Sequence, residues 1–288
     1  MNIDIGTKFI TLIGTPLGQS FAARMQNAAY DAAGLNLRYF YTETDESHLG
    51  EIINGIRYMP SFAGAAVTKP NKVKVLQYLD KLDPLCAKMG ACNTVVKTKD
   101  GKLLGYNTDG EGFLRSITEE GGIDIRGGVF FCYGAGGAGR AICSVLAYHG
   151  AERIYITDLF ESSSRSLVED INENISPVAV FVDHGDHSRV RDCDVVINAS
   201  GVGMGLSMGQ SPMPEEYILP HQLYFDACYN PDKTQFLLNA EAQGCSILNG
   251  LGMSLYQGAA QIELWTGREA PVEAMRRELM TILSESKE

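Results

Sequence analysis

The sequence is short of several things at once, and each shortage removes a class of protein. No run of about 18 apolar residues occurs, the length that a membrane-spanning helix requires. The opening MNIDIGTKFITLIG is too acidic, and too short in its apolar run, to read as a secretory signal. Seven cysteines (86, 92, 132, 143, 193, 228 and 245) are scattered, odd in number and without a CxxC pair. That spacing argues against a disulfide framework or a zinc site and fits small buried thiols in a reducing compartment. No metal is expected, and a cytoplasmic location is. Positive charge is scarce: 24 Lys and Arg stand against 35 Asp and Glu, a formal net charge of −11. Nucleic acid and membrane surfaces are disfavoured as partners, because neither is attracted over a long range. A local pocket for a small anion remains compatible with that charge.

What is present is globular. The 288 residues, 45% hydrophobic and 20% charged, suffice for one large or two ordinary domains. Strand and helix patterns alternate: strands at 8–14, 37–42, 63–67 and 93–97, helices at 22–33, 48–58 and 72–79. A second run starts near Gly112. It has a helical connector at 111–120, strands at 128–132, 153–157, 194–199 and 223–227, and helices at 139–150, 163–173, 253–265 and 272–283. The pattern predicts an α/β protein of two α/β domains with a cleft between them, residues 1–111 and 112–252.

The second of these carries the clearest motif. Val129-Phe130-Phe131-Cys132-Tyr133 is followed by Gly134-Ala135-Gly136-Gly137-Ala138-Gly139, a GxGxxG set after a strand and before a helix. The first glycine permits the tight turn, the second lets backbone approach a pyrophosphate, and the third lets helix pack close to strand. The helix N-terminal N–H groups then face the phosphates. The next strand ends at Asp158, 22 positions past Gly136, the spacing of a carboxylate that binds the adenosine ribose. The expectation is a Rossmann-type dinucleotide-binding domain. A carboxylate there would repel the extra phosphate of NADP, so NAD is expected, and NADP less so. The competing explanation is a turn that needs glycine for packing alone.

The first half places polar residues at strand ends: Thr68, Lys69 and Lys72, then Asn93 and Thr94, then Asn107-Thr108-Asp109-Gly110. Such groups suit a polyhydroxylated ring, although each is also an ordinary turn or surface residue.

Taken together, these stretches resemble the shikimate/quinate dehydrogenase family over nearly the whole chain. The likeness is carried by Gly14-Thr15-Pro16 through Ser20, Val67-Thr68 through Pro70 and Lys72, Asn93-Thr94, Asn107 through Gly110 and the glycine turn. It continues with Asn198-Ala199 through Gly203-Met204, Asp226 through Pro231 with Thr234, and Gly250 through Gln257. The resemblance implies that residues 1–111 form a substrate-binding, catalytic domain to which the helices of 253–288 return. It implies Lys72 and Asp109 as the pair that moves a proton while hydride moves to or from the nicotinamide. Which of the two takes the proton stays open. Ser20, Thr68, Asn93, Tyr229 and Gln257 are implied as substrate contacts. Ala199, Val202, Met204, Gly250 and Met253 are implied on the nicotinamide side, beside Gly134, Ala135, Gly136, Gly137, Ala138, Gly139 and Asp158.

Two positions depart from the family pattern. Its Ser-x-Ser-Pro segment, whose two hydroxyls hold a substrate carboxylate, reads Ser20-Phe21-Ala22-Ala23, and its Asn-Val-Thr reads Ala66-Val67-Thr68. One lost hydrogen bond to a charged group weakens binding by about 1.5–3 kcal/mol unless it is replaced. Gln19, Arg24 and Lys69 are the candidate replacements. The expected function is an NAD-dependent oxidoreductase that interconverts a cyclic hydroxy acid, shikimate or quinate, and its 3-dehydro ketone. A dinucleotide-binding paralogue with little turnover, or a dehydrogenase of a related cyclic polyol, are the alternatives. The expected partner is that small molecule, with a homodimer left open.

Overall fold

A computed structural model of the chain describes residues 3–18 and 20–285. They form two compact units: the described residues of Met1–Thr108 with Leu255–Glu288, and Asp109–Ser254.

The first unit runs β1 (Lys8–Gly14), α1 (Ala22–Ala32), β2 (Leu37–Glu43), α2 (Leu49–Arg57), β3 (Phe62–Val67), β4 (Lys81–Leu82), α3 (Pro84–Met89), β5 (Thr94–Lys97) and β6 (Leu103–Tyr106). The strands make one mixed sheet in the order β2-β1-β3-β5-β6-β4. β2, β1 and β3 are parallel, so their C-terminal ends, Glu43, Gly14 and Val67, lie at one edge; β5 runs antiparallel to β3. Ile13, Ala65 and Val67 meet Leu49 and Ile53 of α2 in a buried core. α3 shows how local sequence sets an element. Asp83 accepts from Leu85 N at 3.0 Å, Pro84 opens the first turn, and Gly90 at φ +65° closes the helix. The helix expected over 72–79 is a single 3-10 turn, Lys74–Tyr78. Asn71 is fully buried with its side chain bound to Thr44 O, and β4 begins at Lys81, so the intervening chain has room for one turn.

The second unit opens with α4 (Asp109–Arg115), which widens into a π turn at Ser116–Glu120. It continues through β7 (Val129–Tyr133), α5 (Gly137–Tyr148), β8 (Arg153–Thr157), α6 (Glu161–Asn174), β9 (Ala179–Phe181), β10 (Val195–Asn198), β11 (Leu223–Asp226), α7 (Gln235–Ala242) and β12 (Ser246–Leu248). All six strands are parallel, in the order β12-β11-β10-β7-β8-β9. Both faces of such a sheet are covered, which is why its central strands are unbroken apolar runs: Phe130, Phe131, Cys132, Val195, Val196 and Ile197 are wholly buried. Strand order reverses between β7 and β10, the switch point where ligands bind in open α/β sheets.

The last two helices are α8 (Gly250–Thr266) and α9 (Val272–Glu285). Within the first unit, residues 257, 261 and 265 of α8 fall on one stripe. From that stripe Trp265, the chain's single tryptophan, donates Nε1–H to Val95 O on β5 at 3.0 Å. Gly64 of β3 makes the approach possible, since a Cβ there would stand 2.5 Å from Val95 O and 2.6 Å from Trp265 Nε1. Gly64→Ala is therefore expected to cost about 1–3 kcal/mol through overpacking. Gly55→Ala, on the exposed face of α2 with open space around it, is expected to stabilise by about 0.5–1 kcal/mol. Urea denaturation of the full chain measures both; equal stability of the two variants contradicts this account of the β5–α8 contact.

Candidate active site

The glycine turn leaves β7 at the switch point, and each glycine has a distinct job. Gly134 adopts φ +103°, and a Cβ there would stand 2.6 Å from the Ala199 backbone carbon. At Gly139 a Cβ would overlap the Gly134 carbonyl oxygen, so α5 can lie on β7 only without a side chain there. Gly136 and Gly137 face open space, where a Cβ would meet nothing within 4 Å. α5 starts at Gly137 with no side-chain cap and no acidic residue in its first turn. Its orphan N–H groups are thus left to an outside acceptor. Ala135 and Ala138 complete this turn. The arrangement fits the pyrophosphate of a dinucleotide.

Asp158 closes the turn from below. Its two carboxylate oxygens accept from Ala135 N at 2.7 Å and Phe160 N at 2.8 Å, while Gly134 N donates to Thr157 O at 2.8 Å. Asp158 thus joins the end of β8 to the glycine turn.

Across the switch point, the loop after β10 is pinned by a buried polar knot. Asn198 donates to Val202 O at 2.8 Å and to Asp226 Oδ2 at 2.9 Å, and Thr234 donates to the same carboxylate at 2.6 Å. Burial pushes the Asp226 carboxyl up, against the pull of its bonds from Thr234, Cys228 and Asn198. The knot fixes the loop that carries Ala199, Val202 and the exposed Met204. Gly250 lies beside it, where a Cβ would overlap Ala227 O, and Gly250 N donates to Cys228 O at 2.9 Å. Met253 follows on α8. Sequence reasoning quoted Asn198, Asp226 and Thr234 but gave them no role. An Asn and an Asp at the ends of two buried strands were the available signal.

In the first unit, backbone bonds gather the candidates at the C-terminal ends of the parallel strands. Thr68 N donates to Ile13 O, Thr15 N to Lys69 O, Val67 N to Asn93 O and Cys92 N to Lys72 O, at 2.8–3.1 Å. Thr68, Lys72 and Asn93 are thereby brought together, with Lys72 half-buried and Asn93 buried. Ser20 lies on the approach to α1. Its carbonyl accepts from Tyr41 at 2.6 Å, and its hydroxyl accepts from Ala22 N at 3.3 Å. Gln257, half-buried, sits on the α8 stripe that faces β5. Asp109 begins α4 and Tyr229 follows β11, both in the second unit and half-buried. Burial raises the Tyr229 phenol, which keeps it protonated as a donor.

Of the candidate replacements for the missing serine and asparagine, Arg24 is held elsewhere, paired with Glu278 at 2.8 Å and with Glu285, both on α9. Lys69 is exposed at the strand-end rim, and Gln19 lies outside the described residues.

Comparison with known proteins identifies the family. Residues 12–95 match a family model described as the shikimate dehydrogenase substrate binding domain, and residues 250–280 match the shikimate 5'-dehydrogenase C-terminal domain. A shikimate dehydrogenase (NADP(+)) of Moorella thermoacetica is 38% identical across 99% of this chain and 97% of its own. A Listeria monocytogenes shikimate 5-dehydrogenase, solved with shikimate and NAD, superposes with a TM-score of 0.92 at 38% identity, covering 97% of this chain and 98% of that one. A shikimate dehydrogenase solved with NADP+ superposes with a TM-score of 0.89 at 32% identity, covering 97% of each.

These relatives overturn one expectation, that of NAD in preference to NADP. The Moorella enzyme is named for NADP(+), and a solved neighbour holds NADP+. The misreading came from Asp158. Spacing alone marks it as a ribose-binding, phosphate-repelling carboxylate, whereas in the structure its oxygens also accept from the backbone N–H groups that shape the turn. On identity sustained over almost its full length, the chain belongs to the shikimate/quinate dehydrogenase family of oxidoreductases.

Proposed function

We propose that this chain interconverts shikimate, or a closely related cyclic hydroxy acid such as quinate, and its 3-dehydro ketone with NADP(H). The observation that carries the reading is the gathering of Thr68, Lys72 and Asn93 at one strand-end edge. An uncapped glycine-turn helix in the second unit supplies the matching dinucleotide seat. In this reading the first unit receives the substrate and the second the dinucleotide, with Ala199, Val202, Met204, Gly250 and Met253 flanking the nicotinamide. When bound, the nicotinamide ring exchanges hydride with the substrate carbon.

The side chains handle the proton and the ring. The Lys72 ammonium donates a proton to the oxygen that becomes an alcohol in reduction, and the amine so formed takes that proton back in oxidation. Asp109 orients the lysine and the substrate hydroxyl. Ser20, Thr68, Asn93, Gln257 and the protonated Tyr229 phenol hold the remaining oxygens, which fixes the ring for hydride transfer. A cytoplasmic location belongs to the same proposal, supported by seven cysteines that are all buried free thiols.

Lys72→Ala is expected to lower kcat for shikimate by about 10²–10⁴-fold while the dissociation constant for NADP stays within about twofold. Stopped-time assays of reduced-cofactor absorbance and a fluorescence titration measure the two quantities. Turnover near wild type would remove Lys72 from the mechanism. In a panel of shikimate and quinate with each cofactor, kcat/KM is expected to be higher with NADP than with NAD. A chain that binds NADP but turns over neither acid is instead a non-catalytic paralogue.

A further inference from the structure

The first unit contains a buried chain of polar side chains of which the proposed mechanism uses only Asn93. It starts at Gln26 on α1, whose Nε2 donates to Gly258 O at 3.1 Å and lies 3.4 Å from Gln261 Oε1 on α8. Gln261 Nε2 donates to Thr94 Oγ1 at 3.1 Å, and Thr94 Oγ1 donates to Asn93 Oδ1 at 2.7 Å. Thr108 finishes it. Its backbone N–H donates to Asn93 Oδ1 at 2.8 Å, and its hydroxyl accepts from Asn93 Nδ2 at 3.1 Å. All five residues are between 0% and 4% exposed, out of reach of competing water.

The polarity of this chain is set at its two ends by backbone groups, Gly258 O and Thr108 N. Gly258 O can only accept, so Gln26 turns its amide nitrogen toward it and Gln261 turns its oxygen toward Gln26. Gln261 is then obliged to donate to Thr94, whose own proton faces Asn93 Oδ1 at 2.7 Å and, further off, Thr108 Oγ1 at 3.2 Å. Independently, the Thr108 backbone N–H can only donate, so it too demands the Asn93 oxygen. The Thr108 N–H fixes the orientation of Asn93, with Nδ2 as the donor end, and the shorter Thr94 bond supports the same orientation from the other end. They also hold the Thr108 peptide that leads directly into Asp109.

Stability is a poor explanation for such a chain. Buried amides contribute little net stabilisation even when paired, and here Gln26 Oε1 has no hydrogen-bond partner among the described residues. Apolar side chains of the same volume would fill that space without an unsatisfied acceptor. What the chain supplies is direction.

We infer that Gln261, backed by Gln26, is a positioning residue that acts through Thr94 to hold the Asn93 amide as a donor and the Thr108–Asp109 peptide in place. The inference rests on the proposed substrate contact through Asn93.

The test uses Gln261→Met and Gln261→Leu, each of which cuts both links with apolar atoms. Both are expected to lower kcat/KM for shikimate by about tenfold, leave KM for NADP within twofold, and speed backbone amide exchange at Thr108. Thr94→Val gives the same reading if a Gln261 variant fails to fold. Unchanged kcat/KM, or a parallel fall in shikimate and NADP constants with Tm, would overturn the inference. If the wild-type chain oxidises no shikimate, the proposed activity falls instead; Thr108 exchange then still decides whether Gln261 orders the peptide.

Discussion

The second unit depends on one backbone-on-backbone contact, the seating of Gly139 against the Gly134 carbonyl. A methyl group at residue 139 would overlap that oxygen, and a close-packed interior has no slack to absorb the displacement. The contact sets how closely α5 lies on β7, and so where the N–H groups of its first turn point. Gly134, at φ +103°, makes the turn that puts them at the switch point. Asp158 holds the turn from β8, and the knot of Asn198, Asp226 and Thr234 holds the opposite wall. Each of these polar groups secures backbone first.

The first unit reaches a similar end by strand direction. Three parallel strands finish at one edge, and the chain segments that leave them are laced together by backbone bonds. The lacing sets where Thr68 and Lys72 stand but says nothing of how a side-chain amide is turned. That second degree of order belongs to the buried chain from Gln26 to Thr108. A hydroxylated ring offers oxygens that both donate and accept, so a site whose donors are assigned in advance discriminates better than one whose amides can flip.

How much of this was legible in the sequence follows from what each pattern encodes. β7 and β10 were readable because strands buried on both faces are apolar throughout, and the glycine turn because its three glycines answer separate steric demands. β9 and β12, three residues each, are too short to show a period. β6 is masked by Gly105, a poor strand former that is needed because a Cβ would stand 2.5 Å from Leu79 Cδ1. The misreading at Asp158 has the same root as the silence at Gln26 and Gln261. Spacing counts positions, whereas the role of a carboxylate or an amide is set by which N–H and C=O groups surround it. Gln26 and Gln261 lie 235 positions apart in sequence, and nothing in either helix marks them as partners.

The net charge of −11 looks at first like an obstacle for a protein proposed to take an anionic dinucleotide. The two effects operate at different ranges. At physiological ionic strength the Debye length is about 8 Å, so the summed surface charge is largely screened at the site. The first-turn N–H groups of α5 sit at contact distance from any anion on the open side of Gly136 and Gly137, where screening has little purchase. The half-charge equivalent of a helix N-terminus acts there undiluted by a side-chain cap or an acidic neighbour. Overall acidity therefore costs encounter rate more than affinity. Asp158, at the end of β8, uses one acceptor site of each oxygen on the Ala135 and Phe160 N–H groups and has others left. Its place beside the turn is accounted for by the backbone it holds, so its presence alone is a poor guide to the phosphate count of a bound cofactor.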